Sequence, residues 1–473
     1  MPMTVSSPIF LFFFLPVALA VYYLLRDKHR KVALAAIFIS YYGIAGIVNP
    51  FSLLLICLFI FLLFAFTRMI SAAKNPKIRS AFLIFSIAFI VIGTIVLRYC
   101  GEIFGTINGL KFTVGATVRS LLSISCLIDV YRRDVKAPGI ADCVSYLMFF
   151  PIMVVGPIVK FKDFVGIAEK REVSMHNFAL GARLYMRGFV KRFALGAVLN
   201  SAFEGVFGAE LDDVSVFMVL AMLVIVSLMM YAILSGYSDM GTGIALMFGI
   251  KLPVNFRDPL FSATRDIYFT RFMKTLFDYA DDYIITPIAG NNIKSNRGFG
   301  ATILAFFMIA VWYRENPRFL LIVFPILVVA AGLYTLGVGE KVKKSKILSV
   351  FLGMVTFVVV SCFWLALRIK DPFSLMEYSI NIALYGVNYG NVMLLRSVSW
   401  IKYAVTLIFA LLIAVPSYIS HSLVRRGGDS KKRAAEKVSF AGTVIIMILF
   451  VFTVVYYMPQ YPQYAVTALD GLI

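Results

Sequence analysis

The chain has 473 residues, 61% of them hydrophobic and only 15% charged, whereas a soluble domain is about half apolar and about a quarter charged. No water-soluble core absorbs that much apolar sequence, so the composition excludes a soluble globular protein and identifies a polytopic membrane protein. The formal net charge of +20 does not make it a nucleic-acid binder, because Lys and Arg fall in short clusters between apolar runs and none is interleaved with stacking aromatics.

The first apolar run covers residues 9–25 and precedes the basic stretch 26–31. A cleaved signal carries its charge ahead of the apolar core, and Tyr22-Tyr23-Leu24-Leu25 is no cleavage site, so this run reads as a retained helix. Further spans are predicted at 32–47, 51–67 and 82–97, each near the roughly 20 residues that cross a bilayer. Basic clusters at 26–31, 68–79 and 132–136 alternate with the poorly charged turns 49–50 and 99–106. That alternation puts the N-terminus outside the cell and the basic clusters inside.

From residue 112 the pattern weakens. The run 142–159 contains Phe149-Phe150-Pro151 and Gly156-Pro157 and is basic on both flanks, which a re-entrant segment buried in protein reconciles. Across 177–202 aromatic and aliphatic residues alternate with Arg183, Arg187, Lys191 and Arg192, the pattern of a basic amphipathic helix lying in the cytoplasmic interface. Spans are expected again at 214–234, 319–336, 348–367, 401–419 and 440–457, with Pro325 and Pro416 able to kink two of them. Residues 371–399 read either as a weakly apolar segment or as a surface helix. The predicted fold is therefore all-α, a polytopic membrane helix bundle of about 10–12 membrane elements. No internal repeat is visible, which weakens an inverted-repeat transporter.

The polar residues gather in the middle of the chain. Asp239 lies within or beside an apolar span, where an ionisable residue marks a functional site by default; a cap or interhelix bond through Ser235, Tyr237 and Ser238 is the structural alternative. Asp278, Asp281 and Asp282, with Arg271 and Lys274, fit a solvated charged helix face. Gly290-Asn291-Asn292 fits a turn. Five cysteines without CxxC spacing and three widely separated histidines, His29, His176 and His421, give neither a disulfide framework nor a metal site.

Several stretches in order resemble the membrane-bound O-acyltransferase family, in its alginate O-acetyltransferase and teichoic-acid D-alanyl transferase branch. They are Ser7-Pro8-Ile9-Phe10, Ile128-Asp129-Val130-Tyr131-Arg132, Phe149-Phe150-Pro151 with Gly156-Pro157, the basic stretch 178–194, Ser235-Gly236-Tyr237-Ser238-Asp239-Met240, and Asp282-Tyr283 followed by Gly290-Asn291-Asn292. The resemblance covers the chain to about residue 380 and implies one membrane-embedded domain over 1–473 around a central tunnel. Within it, 1–135 would supply N-terminal spans, 136–315 the re-entrant and interfacial helices and the site, and 316–473 C-terminal spans. Ser235, Tyr237, Ser238, Asp239, Arg271, Asp282, Asn291, Asn292 and Trp312 would line the substrate path.

The resemblance also implies transfer of an acyl group to an extracellular polysaccharide or cell-envelope polymer in the plasma membrane. No bound cofactor or metal is expected. The donor would be acyl-CoA or an acyl-carrier thioester, and the partners membrane lipids, an acyl-carrier protein, and an extracytoplasmic acyltransferase or polymer synthase. Two departures stand against it. The family carries its general-base His after a Trp, and here Trp312 is followed by Tyr313; a second polar position, Trp-His in this branch, aligns with Phe272-Met273. A tyrosine near its ordinary pKa of about 10 is mostly protonated and a poor base, and a Tyr at a span's end also serves as an interfacial anchor. The alternative to an enzyme is therefore a non-catalytic member that conducts an acyl group or lipid, or acts as an accessory subunit. An unrelated transporter, suggested by Asp239, Arg119 and Asp142, is the third reading.

Overall fold

The computed structural model describes residues 5–25, 27–44, 50–103, 116–153, 155–170, 172–207, 216–256, 271–290, 292, 295–313, 319–336, 345–368, 408, 412 and 429–457. Those residues form helices and connecting turns, with no strand among them. Three helical stretches among them are long and apolar enough to cross a membrane, Pro76–Val96, Leu220–Met247 and Glu436–Val455, and shorter apolar ones lie at Phe10–Leu24, Ile56–Ala72, Ile140–Ile152 and Val350–Ala366. Large apolar side chains such as Phe13, Leu24, Ile84, Phe351 and Phe440 face outward, as a lipid-facing surface requires. The segment 371–399, and the span expected at 401–419 apart from residues 408 and 412, lie outside the described residues.

The chain divides into two compact units, each assembled from separated stretches. The first comprises Met1–Ala182, Gly241–Asn255 and Met273–Pro287. A π-helical turn at Phe10–Phe14 leads into α1 (Leu15–Leu24), followed by α2 (Asp27–Ile44), α3 (Pro50–Ala72), α4 (Pro76–Ile103) and α5 (Ala116–Arg132). Next, α6 (Ile140–Leu147) breaks into a 3-10 turn at Phe150–Ile152 before α7 (Phe161–Glu169). The break is local chemistry: Pro151 supplies no N–H, and Gly156 sits so close to Ile152 that a Cβ there would overlap it. The turn is held by aromatic packing, with Tyr41 stacked on Phe150 at 4.3 Å and Phe38 edge-on to Phe149 at 5.3 Å. Asp142 accepts a hydrogen bond from the Gly139 N–H at 3.1 Å and so caps α6. Arg119 is buried in α5 with its guanidinium 5.0 Å from the centre of the Tyr42 ring. Two of the three residues behind the transporter reading thus have a structural setting here.

The first unit also holds the C-terminal turn of the long helix α10 (Val216–Met247). Tyr22 and Tyr23, at the end of α1, donate hydrogen bonds to the carbonyls of Phe248 and Met247 at 3.1 and 2.9 Å. These contacts use the tyrosines as caps for another helix, which accounts for their place at the end of the first apolar run.

The second unit comprises Arg183–Met240, Phe256–Phe272 and Ile288–Ile473. It takes the later part of α8 (Met175–Val190), a π-helical turn at Lys191–Leu195, α9 (Gly196–Phe207) and most of α10. The chain next passes α11 (Lys274–Ala280), which belongs to the first unit, and α12 (Thr286–Ala289), and the second unit continues with α13 (Asn296–Tyr313), α14 (Phe319–Leu336), α15 (Lys346–Arg368) and α16 (Asp429–Phe452). The helix α14 continues through Pro325. Backbones meet closely where glycines face each other: a Cβ on Gly236 would lie 2.8 Å from the Gly188 carbonyl oxygen, and one on Gly188 would lie 2.9 Å from the Asp239 Cβ. Ser227 and Ser361 tie α10 to α15 by a hydrogen bond of 2.6 Å.

Candidate functional site

Among the described residues, each unit carries a polar cluster that includes a π-helical turn, a feature frequent at functional sites. In the second unit the cluster centres on Asp239. Arg187 grips its carboxylate with a two-pronged guanidinium, Nε to Oδ2 and Nη2 to Oδ1, both at 3.0 Å. Lys191, one helical turn on, donates to Oδ2 at 2.8 Å and lies 5.6 Å from the centre of the Tyr231 ring. The carboxylate side chain is 16% exposed and that of Lys191 13%, so two cations share one carboxylate in a setting with little water.

Asp239 therefore does form an interhelix bond, but not through its serine and tyrosine neighbours; the partners are two cations expected on an outward basic face. The second half of that helix is likewise less superficial than its pattern suggested: Arg192 is 1% exposed, with its guanidinium over the rings of Phe193 and Tyr237 at 5.2 and 5.4 Å. Ser235 and Ser238 are buried on α10, and the Ser235 hydroxyl has no hydrogen-bond partner among the described residues.

The first unit's cluster ties α5, the segment before α7 and a π-helical turn at Asp281–Ile285 together. The Tyr283 hydroxyl donates to Asp129 Oδ1 at 2.7 Å and lies 2.9 Å from the Ser125 hydroxyl. Asp129 Oδ2 accepts the Lys162 N–H and Ser125 Oγ the Phe161 N–H, both at 2.9 Å. Tyr279, one turn before Tyr283, donates to the Leu121 carbonyl at 3.0 Å. Asp282 pairs with Lys160, and with Lys162 at 3.4 Å, while its own carbonyl accepts from Arg132 at 2.8 Å. Asp278 pairs with Lys274 along the helix. The aspartates expected on one solvated face therefore divide: Asp278 pairs along its own helix, and Asp282 is engaged by cations from another segment.

Partial burial disfavours the charged form of Asp282, but the hydrogen bond and charge of Lys160, with Lys162 behind, outweigh it and hold the carboxyl below the usual carboxylate range. A carboxyl with a folded-state pKa below its unfolded value stabilises the fold above the unfolded pKa, and that contribution is lost as pH falls through the folded pKa. The stability gap between the wild type and Asp282→Asn should thus be largest near neutrality and close as pH falls from about 5 to below the ordinary aspartate pKa of about 4. Thermal unfolding of detergent-solubilised protein across that range checks it; a gap that stays constant with pH removes the ion pair as its source.

Met273 adopts a left-handed backbone, φ 53° and ψ 44°, immediately before α11. The next two residues are fastened from outside their own helix. The Asn255 carbonyl accepts the Lys274 N–H at 2.9 Å, and Asn255 Oδ1 accepts the Thr275 N–H and hydroxyl at 3.2 and 2.7 Å. Thr275 Oγ1 in turn accepts the Ile158 N–H at 2.9 Å. Among the remaining sequence-predicted positions, Arg271 is half-buried, and Phe272 meets Phe256 edge-on at 5.2 Å and Trp364 at a tilt at 5.6 Å in the second unit. Gly290 has φ 61°, and the Asn292 carbonyl accepts the Ser295 hydroxyl at 2.7 Å. Trp312 and Tyr313 end α13; their side chains, and Asn291, lie outside the described residues.

Sequence reasoning did not single out Asn255, Thr275, Lys160 or Lys162. Asp129 appeared only as part of a motif. The i, i+4 spacing of Arg187 and Lys191 was the one local signal that two cations could converge on a single acid.

Residues 34–342 match the profile of MBOAT, the membrane-bound O-acyltransferase family, and that stretch contains both clusters, Met273 and Tyr313. The chain is 27% identical to the probable alginate O-acetylase AlgI of Pseudomonas aeruginosa over 337 residues, 67% of this chain and 64% of that protein. It is 28% identical to a peptidoglycan O-acetyltransferase of Helicobacter pylori over 188 residues, 38% of this chain and 34% of the relative. Against a teichoic acid D-alanyltransferase of Bacillus subtilis it is 23% identical over 192 residues, 37% of this chain and 47% of the relative. The chain thus spans somewhat less than two-thirds of the alginate relative's length. On the match across 34–342, the chain belongs to the membrane-bound O-acyltransferase family.

Proposed function

We propose that this chain is a multi-pass O-acyltransferase of the plasma membrane, N-terminus outward, that esterifies hydroxyls of an extracellular polysaccharide or cell-envelope polymer. One observation carries the reading: the family match runs through both polar clusters, and the similar proteins are named for acylating alginate, peptidoglycan and teichoic acid. The donor is an acyl-CoA or an acyl-carrier thioester reaching the site through a tunnel. An acyl-carrier protein on one side, and an extracytoplasmic acyltransferase or polymer synthase on the other, are the matching partners.

In the reaction the acceptor oxygen forms a bond to the acyl carbon, the carbon–sulfur bond breaks, the thiolate leaves, and the hydroxyl proton passes to a base. Tyr313 stands where the family has its His. A phenol ordinarily ionises well above neutrality, so a tyrosine base predicts transfer that quickens as pH rises. Membranes of a host with no polymer O-acylation of its own, expressing this chain, should release acyl groups from the polymer on mild alkali. Tyr313→Phe should lower that release by about 100-fold or more, the range a general base contributes, and Tyr313→His should keep it. If the wild type transfers nothing while a Met273→His/Tyr313→His variant does, the chain is instead a non-catalytic conduit or accessory subunit.

A further inference from the structure

Two non-glycine residues with positive φ stand among the described residues, Arg133 at 68° and Met273 at 53°. Arg133 is explained by the end of its helix: its N–H bonds the Val130 carbonyl and the Asp134 N–H bonds the Asp129 carbonyl, the pairing that closes a helix through a left-handed residue. Met273 sits at the other end of a helix, where the capping residue normally has extended backbone and a side-chain oxygen to satisfy the first N–H groups. Methionine has no such oxygen, and a left-handed conformation is unfavourable for it. Strain of this kind persists where the surroundings over-determine it, and it clusters at sites that use it.

We propose that Asn255 and Thr275 are positioning residues that hold Met273 in its left-handed turn, so that residue 273 is aimed in advance within the acyl-transfer site. This rests on the acyltransferase reading, which gives position 273 a place in the site. Asn255 replaces the missing cap from a distance: its carbonyl and its side-chain oxygen take the N–H groups of Lys274 and Thr275, the first two of the helix. Those N–H groups need nothing from residue 273, which is free to take a shape that its own chemistry disfavours. Thr275 fixes the arrangement to the rest of the unit, donating to Asn255 Oδ1 while accepting from the Ile158 N–H. Asn255 and Thr275 are 3% and 4% exposed, so water offers no substitute for either bond. The Ile158 donor belongs to the same segment whose Phe161 and Lys162 N–H groups bind Ser125 and Asp129. Position 273 is thereby referenced to the buried polar cluster of its unit.

Glycine adopts the left-handed turn without strain, which separates this role from ordinary packing. Melting temperatures of detergent-solubilised wild type, Asn255→Ala, Met273→Gly and the double variant form a cycle. The fall caused by Asn255→Ala should be at least twice as large with Met273 as with glycine. Equal falls in the two backgrounds overturn the proposal, whatever the activity. In the acyl-transfer assay Asn255→Ala and Thr275→Val should lower kcat by about 100-fold with KM little changed, the scale of a misplaced group, and Thr275→Ser should restore most of it. A coupled cycle in a protein that transfers no acyl group leaves the backbone role standing and removes its assignment to acyl transfer. A coupled cycle with kcat unchanged in both variants of an active enzyme overturns the positioning role.

Discussion

Replacing Asp239 by Ala should be among the most damaging single substitutions in the chain, with a loss of about 3–5 kcal/mol, the range for removing one member of a buried ion pair. The partial exposure of the Arg187 side chain, 30%, places the expectation toward the lower end. The reason is asymmetric. With the carboxylate present, Arg187 and Lys191 each have a hydrogen-bonded counter-charge at 2.8–3.0 Å; without it, two cations face each other in an apolar surround. Removing one cation should cost less, since the other still neutralises Asp239. Removing all three charges together, as Asp239→Leu/Arg187→Leu/Lys191→Met, should recover much of the loss, because a well-packed apolar replacement avoids desolvating any ion. Thermal unfolding in detergent checks the order. A triple variant no more stable than Asp239→Ala would mean that the site needs polarity for some other reason, such as a bound polar group.

This contrast bears on what the amino-acid sequence reveals. The helical, membrane-embedded character of the chain is legible at once because it rests on bulk composition. Two of the three long apolar helices fall close to the expected spans, whereas the third runs on to Met247, well past the end expected at 234 and through Ser235 to Met240. The motif segments are legible as strings, but their partners are not. Nothing local in Ile128 to Arg132 says that Asp129 will meet Tyr283 and the Lys162 N–H, because those contacts join residues 33 and 154 positions apart. The same holds for Asp239 and Arg187, separated by 52 positions. A basic amphipathic pattern reads identically whether its cations face headgroups or a buried acid on another helix. The decision depends on the glycine contact between Gly188 and Gly236, which lets the two backbones approach closely enough for the side chains to meet.

Met273 shows a different limit. Its identity breaks the expected polar pattern, and no propensity scale predicts a left-handed methionine, since the residue disfavours that conformation on its own. The conformation is supplied by Asn255, eighteen positions earlier in the chain, and by Thr275, whose ordinary-looking side chain bridges two segments. Tertiary context overrides local preference here, which is where a site that must hold a fixed direction is expected to differ from the rules for regular helices.

Gly241→Ala is the second substitution expected to cost heavily, for reasons of space rather than charge. A Cβ on Gly241 would overlap the carbonyl oxygen of Pro151 and lie 3.1 Å from its carbonyl carbon, with the Gly156 Cα at 4.0 Å. Relief requires one backbone to move, and neither moves easily. On one side is the regular helix α10, whose end is tied to Tyr22 and Tyr23. On the other is the turn Phe150–Ile152, clamped by the Tyr41 and Phe38 rings. The expected loss is about 3 kcal/mol, the upper end of ordinary overpacking. Gly166→Ala in α7 is the matched control, because a Cβ there meets nothing within 4 Å, and it should be neutral or stabilising by up to about 1 kcal/mol. Equal melting temperatures for the two variants would refute the packing argument. The functional consequence follows from what the turn leads to: a displaced Pro151 shifts the chain toward Ile158, Phe161 and Lys162, the N–H donors to Thr275, Ser125 and Asp129. On the proposed acyltransferase function, a Gly241→Ala protein that still folds at low temperature should therefore lose acyl transfer before it loses helix content, because the substitution strains the support of the polar cluster and not the helices themselves.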